Sequence, residues 1–503
     1  MAVKPISETA VLLHDWFRRG IEDPLAGVVG GRERLRIITL LACVLSLDAA
    51  DKATVGAVAT PLQHALHIGP VQLGWLITAS TAIGALITLP FGALADRVHR
   101  VRLLAACILA WSVTMLVSGM ADSYTMLLLS RFALGAVAAA ALPIAVSLTG
   151  DFFLARERGR ILGYILVGEL LGIAFGFLIS GNLAAIYSWR VPFWIMAGLG
   201  LILAFVIWRH LPEPERGRHA SLPPLSDNTE ENGSEPATRI RQHMSRDRIK
   251  PRQELVLDCD AAQMPLWDAV RHVLGIPSFR GLIIASALGY FFFAGLRTFG
   301  VVFVRDHFGM SQSMASTVSV CLGLGSIVGV LLVGHFGDRL ITNGRLNGRV
   351  LLGGIAFLVA SAALTVGLMS PSLALAAPFF ILAAAGIGGA NPAIDASRLD
   401  VVPAALWGRA EGVRTSLRFA LAAIAPPLFG WVTTWFGGAQ HAFSDAASGR
   451  ATDSAGLQQT FLILLPSLLI AGLILVLRVR RTYARDAATA LVSRHKSSSG
   501  NPA

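Results

Sequence analysis

The chain has 503 residues, 54% of them hydrophobic and only 15% charged, where a soluble protein carries roughly 25%. Its mean hydropathy is +0.63 and its formal net charge is +11. The first pair of values excludes a soluble globular domain. The positive charge does not imply nucleic acid, because the basic residues fall in short loops between long apolar runs.

Residues 1–35 are polar and basic, and no cleavable signal peptide is visible. Within them, Ala10 to Ile21 reads equally as a short interfacial helix or a loosely ordered tail. Six apolar runs follow, at about 36–60, 72–95, 101–121, 124–149, 157–183 and 190–209, each close to the roughly 20 residues that span a bilayer. The character then changes. His210 to Gln263 is rich in Pro, Ser, Glu, Asp and Arg, a composition that cannot bury a core and reads as a flexible linker. Leu266 to Leu274 predicts a short amphipathic helix leading into six more runs, at about 278–304, 312–336, 348–369, 373–396, 408–436 and 457–479. Arg478, Arg480, Arg481 and Arg485 begin a basic tail.

The expectation is an all-α membrane protein of two six-helix bundles, 36–209 and 278–480. They are joined by a cytoplasmic linker, 210–277, and flanked by a cytoplasmic segment, 1–35, and a tail, 481–503. With the N-terminus inside, eleven arginines lie in the short inner loops, against Arg190, Arg305 and Arg450 outside. That asymmetry predicts both termini in the cytoplasm and a protein of the inner (plasma) membrane. Cys43, Cys107, Cys259 and Cys321 are scattered, without metal-ligand or disulfide spacing.

The second apolar run closes on Gly92-Ala93-Leu94-Ala95-Asp96-Arg97-Val98-His99-Arg100, and the eighth closes on Gly334-His335-Phe336-Gly337-Asp338-Arg339. Gly92 and Gly334 are 242 residues apart, as are Asp96 and Asp338. Further on, Asp151, Gly159, Arg160, Gly163 and Gly181 stand 249 residues before Asp400, Gly408, Arg409, Gly412 and Gly430. Two copies of one loop and a shared offset imply two homologous halves with a site between them near the midplane.

Gly-x-x-x-Asp-Arg-x-x-Arg resembles the signature loop between helices two and three of the major facilitator superfamily, a likeness that covers roughly residues 36–480. The resemblance implies gating roles for Gly92, Asp96, Arg97 and Arg100, with Asp96 locking helix two against helix eleven and Asp151 taking the loop arginines. Asp338, Arg339 and Asp400 would act likewise in the other half. An aspartate at a helix N-terminus is stabilised by the dipole, and such a contact breaks when halves rock. Arg131-Phe132-Ala133-Leu134-Gly135 fits the family's Arg-x-x-x-Gly motif, whose arginine is linked to proton coupling. Asp51 followed by Val55 and Pro61 resembles the acidic helix-one motif of drug and organic-ion members. Gly168, Gly172 and Gly176 keep the glycine spacing of the antiporter motif in helix five but lack its proline. Asp151-Phe152-Phe153 through Arg160, with Trp189-Arg190, is similar to the spinster-like branch, which is associated with lipid-like substrates.

Ionisable groups at bilayer depth are costly, so their default reading is functional. Asp51 lies about 22 Å along a helix from Arg36, past the midplane. Asp48 and Lys52 are its neighbours. By depth, Asp51, Lys52, Arg131 and Arg297 are expected to share one polar layer. Glu169 and Arg418 are repeat equivalents, 249 residues apart, each about ten residues into its run. A carboxylate in an apolar cavity is a proton-carrier candidate, and an arginine fork suits an anionic substrate. Structural salt bridges, for instance Asp48 or Asp51 with Arg131 or Lys52, are the competing reading. Near the end of the tenth run, Gly386, Gly388, Gly389, Asn391, Pro392 and Asp395 suggest a bendable inner gate near Glu411 and Arg414, or equally a packing kink.

The expected protein is a secondary transporter of a small organic solute, anionic or zwitterionic, driven by protons through rocker-type alternating access. It is expected to be a monomer with no cofactor, metal or nucleic-acid partner, and not an enzyme. A multidrug or lysolipid exporter is the alternative, and a non-transporting sensor or scaffold the alternative of another class.

Overall fold

The computed structural model describes residues 29, 31–95, 98–138, 141–153, 158–214, 251–257, 264–342, 345, 347–403, 406–441 and 451–499. The first half contains α1 (Arg32–Ala57), α2 (Ala59–Leu66), α3 (Pro70–Ala95), α4 (Arg100–Gly119), α5 (Tyr124–Ala138), α6 (Ala141–Phe152), α7 (Arg158–Ile186) and α8 (Arg190–His210). The second contains α9 (Leu266–Gly275), α10 (Pro277–His307), α11 (Gln312–Thr342), α12 (Gly348–Met369), α13 (Leu373–Val401), α14 (Trp407–His441), α15 (Ala451–Leu464), α16 (Pro466–Leu473) and, after a π-helical stretch at Ile474–Val479, α17 (Arg480–Ser499).

Among the described residues, ten helices are long and apolar enough to cross a membrane. α1 carries Asp48, Asp51 and Lys52 in its middle, and the fourth span is described in two pieces, α5 and α6. Outward-facing side chains such as Leu86, Leu129, Leu171, Ile202, Phe205 and Leu331 are exposed, as lipid-facing residues must be when no aqueous hydrophobic effect drives them inward.

Close helix pairs are built on small residues. Gly168, Gly172 and Gly176 on α7 meet Ala42, Ser46 and Ala50 on α1, in parallel and in register. A Cβ on Gly172 would lie 2.1 Å from the Ser46 carbonyl oxygen. Gly325 and Gly329 on α11 lie likewise against the backbone of Ile381 and Ala385 on α13. Backbones this close gain dispersion contacts and exclude any side chain. Gly172→Val should therefore destabilise the protein by about 1–3 kcal/mol, read as a lower melting temperature in micelles, with Gly172→Ala in between. Unchanged melting of the valine variant would show that α1 and α7 separate at no cost.

The two regions expected to be loose are in part docked. Glu213, just past α8, accepts from the backbone N–H groups of Arg100 (3.2 Å) and Val101 (2.7 Å), and its carboxylate meets Arg100 Nε at 3.3 Å. A carboxylate there satisfies orphan donors and the positive end of α4. The chain after residue 480 is not a bare tail. α17 buries Tyr483, Asp486, Ala487, Ala488 and Ala490. Asp486 accepts from the Ser278 N–H (2.9 Å) at the start of α10 and pairs with Arg252 Nε at 2.9 Å. Leu257 N–H donates to Ser493 Oγ, so the end of the linker lies along α17. α9 buries Ala269 and Val273 and leaves Trp267 80% exposed. His272, on the same helix, has its pKa lowered by burial.

Candidate functional site

The halves meet through α3 with α14, α7 with α11 and α1 with α10. Three hydrogen bonds between the halves lie toward the end of the bundle away from the Gly92 and Gly334 loops. Thr78 Oγ1 donates to the Ala423 carbonyl, Gln312 Nε2 to the Ala57 carbonyl, and Ser313 Oγ to Asn182 Oδ1. The backbones close on one another at the same end: an added Cβ on Gly56 would strike the Arg297 carbonyl at 2.4 Å, and one on Gly430 the Pro70 carbonyl at 2.5 Å. This seam was not read from the sequence, because its partners are backbone carbonyls and small polar side chains that carry no charge signal.

The ionisable residues singled out in the sequence, those of the expected polar layer together with Asp48, Glu169 and Arg418, sort into three groups. Asp51 on α1 and Arg131 on α5 form an ion pair, Oδ1 to Nη1 2.8 Å, with both side chains only 2% exposed. Arg131 Nη2 also donates to Ser118 Oγ at 2.6 Å and to Met115 Sδ at 3.4 Å, and its Cζ lies 5.2 Å from the Phe193 ring centre. The guanidinium is thus tied to α1, α4 and α8 at once, while its Nε has no partner among the described residues. The sequence offered this pairing among several, because run depth gives height along a helix but not azimuth. Ser118 and Phe193 were missed.

The second group is a pair within one turn of α1: Lys52 Nζ lies 2.5 Å from Asp48 Oδ2, both partly exposed. The third group is Glu169, Arg297 and Arg418. Among the described residues, none of the three makes a hydrogen bond or an ion pair. Glu169 is exposed on α7, and Arg297 on α10 is half-buried. The backbone of α10 at Arg297 lies against Gly56 of α1, in the other half. Arg418 on α14 has its Cζ over Tyr290, 4.4 Å from the ring centre, and 5.2 Å from that of Phe419. Such stacking orients a guanidinium while leaving its N–H edge available. Tyr290, which the sequence reading missed, also feels the charge of Glu169.

At the end that carries the signature loops, the second half is closed by a chain of ions. Arg414 pairs with Asp395 and, at 2.7 Å, with Glu411, which takes Arg398 at 2.5 Å. Asp400 accepts from the Tyr483 hydroxyl at 2.6 Å and lies 3.7 Å from Arg349. α13 runs unbroken through Asn391 and Pro392, with Asn391 Nδ2 reaching back to the Ile387 carbonyl at 3.4 Å. Asp96 and Arg97 lie outside the described residues, as do the side chains of Asp151 and Asp338. Gly92 sits in the last turns of α3, and Arg339 is exposed near the end of α11. Arg100 is buried on Glu213 and on the Pro214 carbonyl, an acidic partner the sequence reading did not name.

The Major Facilitator Superfamily model matches residues 40–426 and 282–498. The chain belongs to the major facilitator superfamily. It is a multi-pass membrane protein. The fold is similar to that of a bacterial homolog of the human lysosomal transporter spinster, crystallised inward-facing and unoccupied: TM-score 0.72 and 21% identity over 90% of this chain and 98% of that one. A nucleoside transporter, NupG, matches with TM-score 0.60 and 12% identity over 87% and 98%. Among curated proteins, Protein spinster homolog 1 of Homo sapiens is 28% identical over 40% of this chain and 39% of its own length. The 4-hydroxybenzoate transporter PcaK of Pseudomonas putida is 31% identical over 37% and 41%. The chain spans about two fifths of the length of these curated relatives.

Proposed function

We propose that this facilitator carries a small organic anion or zwitterion, coupled to protons, by rocking its halves about a site between Glu169, Arg297 and Arg418. One observation carries the reading. Of the seven candidate ionisable residues, four pair as Asp51–Arg131 and Asp48–Lys52, and the remaining three have no hydrogen-bond or ion-pair partner among the described residues, Arg418 being stacked on Tyr290. Two unpaired cations against one carboxylate favour a ligand with an acidic group. Glu169 is the group that exchanges the proton, since ionising it breaks no protein contact. The partial likeness to a 4-hydroxybenzoate transporter supports an organic acid, and the likeness to spinster proteins supports a lysolipid as the second reading. The membrane is the inner (plasma) membrane, with both termini in the cytoplasm.

The test uses purified protein in liposomes under an imposed proton gradient, with a pH dye inside and pools of organic anions, cationic drugs and lysolipids added in turn. Proton flux triggered by the anion pool is the expected result, and flux with lysolipids alone would move the assignment to the second reading. Arg297→Ala should weaken an active anion roughly tenfold or more, the worth of a charge-assisted hydrogen bond, and a neutral analogue far less. Equal losses for both would remove Arg297 from substrate recognition.

A further inference from the structure

α14 contains two consecutive prolines, Pro426 and Pro427, within one continuous helix. Neither has an N–H, so the carbonyls four residues earlier, Ala422 and Ala423, lose their helical donors. A carbonyl stripped of its partner at bilayer depth must find another. Ala423 finds it in the opposite half, in the hydroxyl of Thr78 on α3. Thr78 is 7% exposed. Its neighbours Ser80 and Thr81 turn their hydroxyls back on their own helix, to the Ile77 carbonyl. Thr78 reaches across instead. One turn before it, Gly74 lies against the proline pair, where an added Cβ would be 2.6 Å from the backbone of Pro426 and Pro427. The break in α14 and the flat spot on α3 thus fit each other.

We propose that Pro427 and Thr78 form a latch that holds this end of the transporter closed, with Thr78 as a positioning residue of the alternating-access cycle. Opening costs more on the α14 side than on the α3 side. A departing Thr78 can turn to the Gly74 carbonyl of its own helix, whereas Ala423 has no donor in α14 to return to. The latch rests on the rocking motion proposed above and is independent of the solute carried.

The test needs no ligand. Ser316 is fully buried at the same end, packed on Gly181 across the seam. In the full chain with Cys43, Cys107, Cys259 and Cys321 replaced, Ser316→Cys gives a thiol whose maleimide reaction rate follows the fraction of time the end is open. Thr78→Val should raise that rate roughly five- to tenfold, the equivalent of one lost hydrogen bond to a buried carbonyl. Thr78→Ser should leave it unchanged. Pro427→Ala restores the N–H to Ala423 and should also raise the rate, and the double variant should react no faster than the faster single. An unchanged rate in Thr78→Val, or effects that multiply in the double variant, would overturn the latch. Should Thr78→Val fail to fold, an unchanged rate in Pro427→Ala overturns it alone. A thiol inert in every variant would overturn both the latch and the rocking reading.

Discussion

Arg131→Ala should cost the folded protein about 3–5 kcal/mol, the usual consequence of removing one partner from a buried ion pair. The substitution leaves Asp51, 2% exposed, with no cation at 2.8 Å, strips the donor from Ser118 Oγ and empties the space over Phe193. Asp51→Asn should cost less, because an amide can still accept from the guanidinium. Pairing Arg131→Ala with Asp51→Ala should recover part of the loss, since no charge is then stranded. Melting in micelles reads all three. If the single and double variants melt alike, the pair is not coupled and the interior tolerates an unpaired Asp51.

The other large effect concerns coupling and leaves stability nearly untouched. Glu169→Gln should abolish substrate-driven proton movement in liposomes while shifting stability by no more than about 0.5 kcal/mol, as expected for an exposed side chain without a hydrogen-bond or ion-pair partner among the described residues. Counterflow of unlabelled against labelled solute, which needs no net proton transfer, should survive. Normal proton flux in this variant would exclude Glu169 as the carrier and leave Asp48 as the next carboxylate to test.

Much of the architecture was legible in the sequence because membrane helices announce themselves by length. The repeated loop at Gly92 and Gly334, and the 249-residue offset from Asp151 to Asp400, exposed the two halves without any structural help. Depth along a run was also legible, and it brought Asp51 and Arg131 to one level. Rotation about the helix axis was not, and that rotation turns Arg131 into its own half, onto Asp51 and Ser118. The span at α1 was read from a run whose middle carries Asp48, Asp51 and Lys52, which sets it apart from the ten more uniformly apolar helices. α17 was illegible for the opposite reason. Its arginines and serines look like a solvated tail, while its packing rests on small residues and on Asp486, which bridges to Arg252 more than two hundred residues away. Thr78 and Ala423 carry no pattern at all, since one is a lone hydroxyl in an apolar run and the other a backbone oxygen.

The glycine stripe on α7 bears on how such a machine endures repeated use. Glu169 follows Gly168 directly, and Gly168 is pressed onto the backbone of Ala42. Its location is therefore dictated by contacts between main chains, which are indifferent to whether a neighbouring carboxylate is charged or neutral. A group held by salt bridges would loosen and re-form its mooring each time a proton came and went. Here Asp51 and Arg131 stay paired with each other, and Glu169, the proposed proton carrier, stands on a mount that has no electrical part.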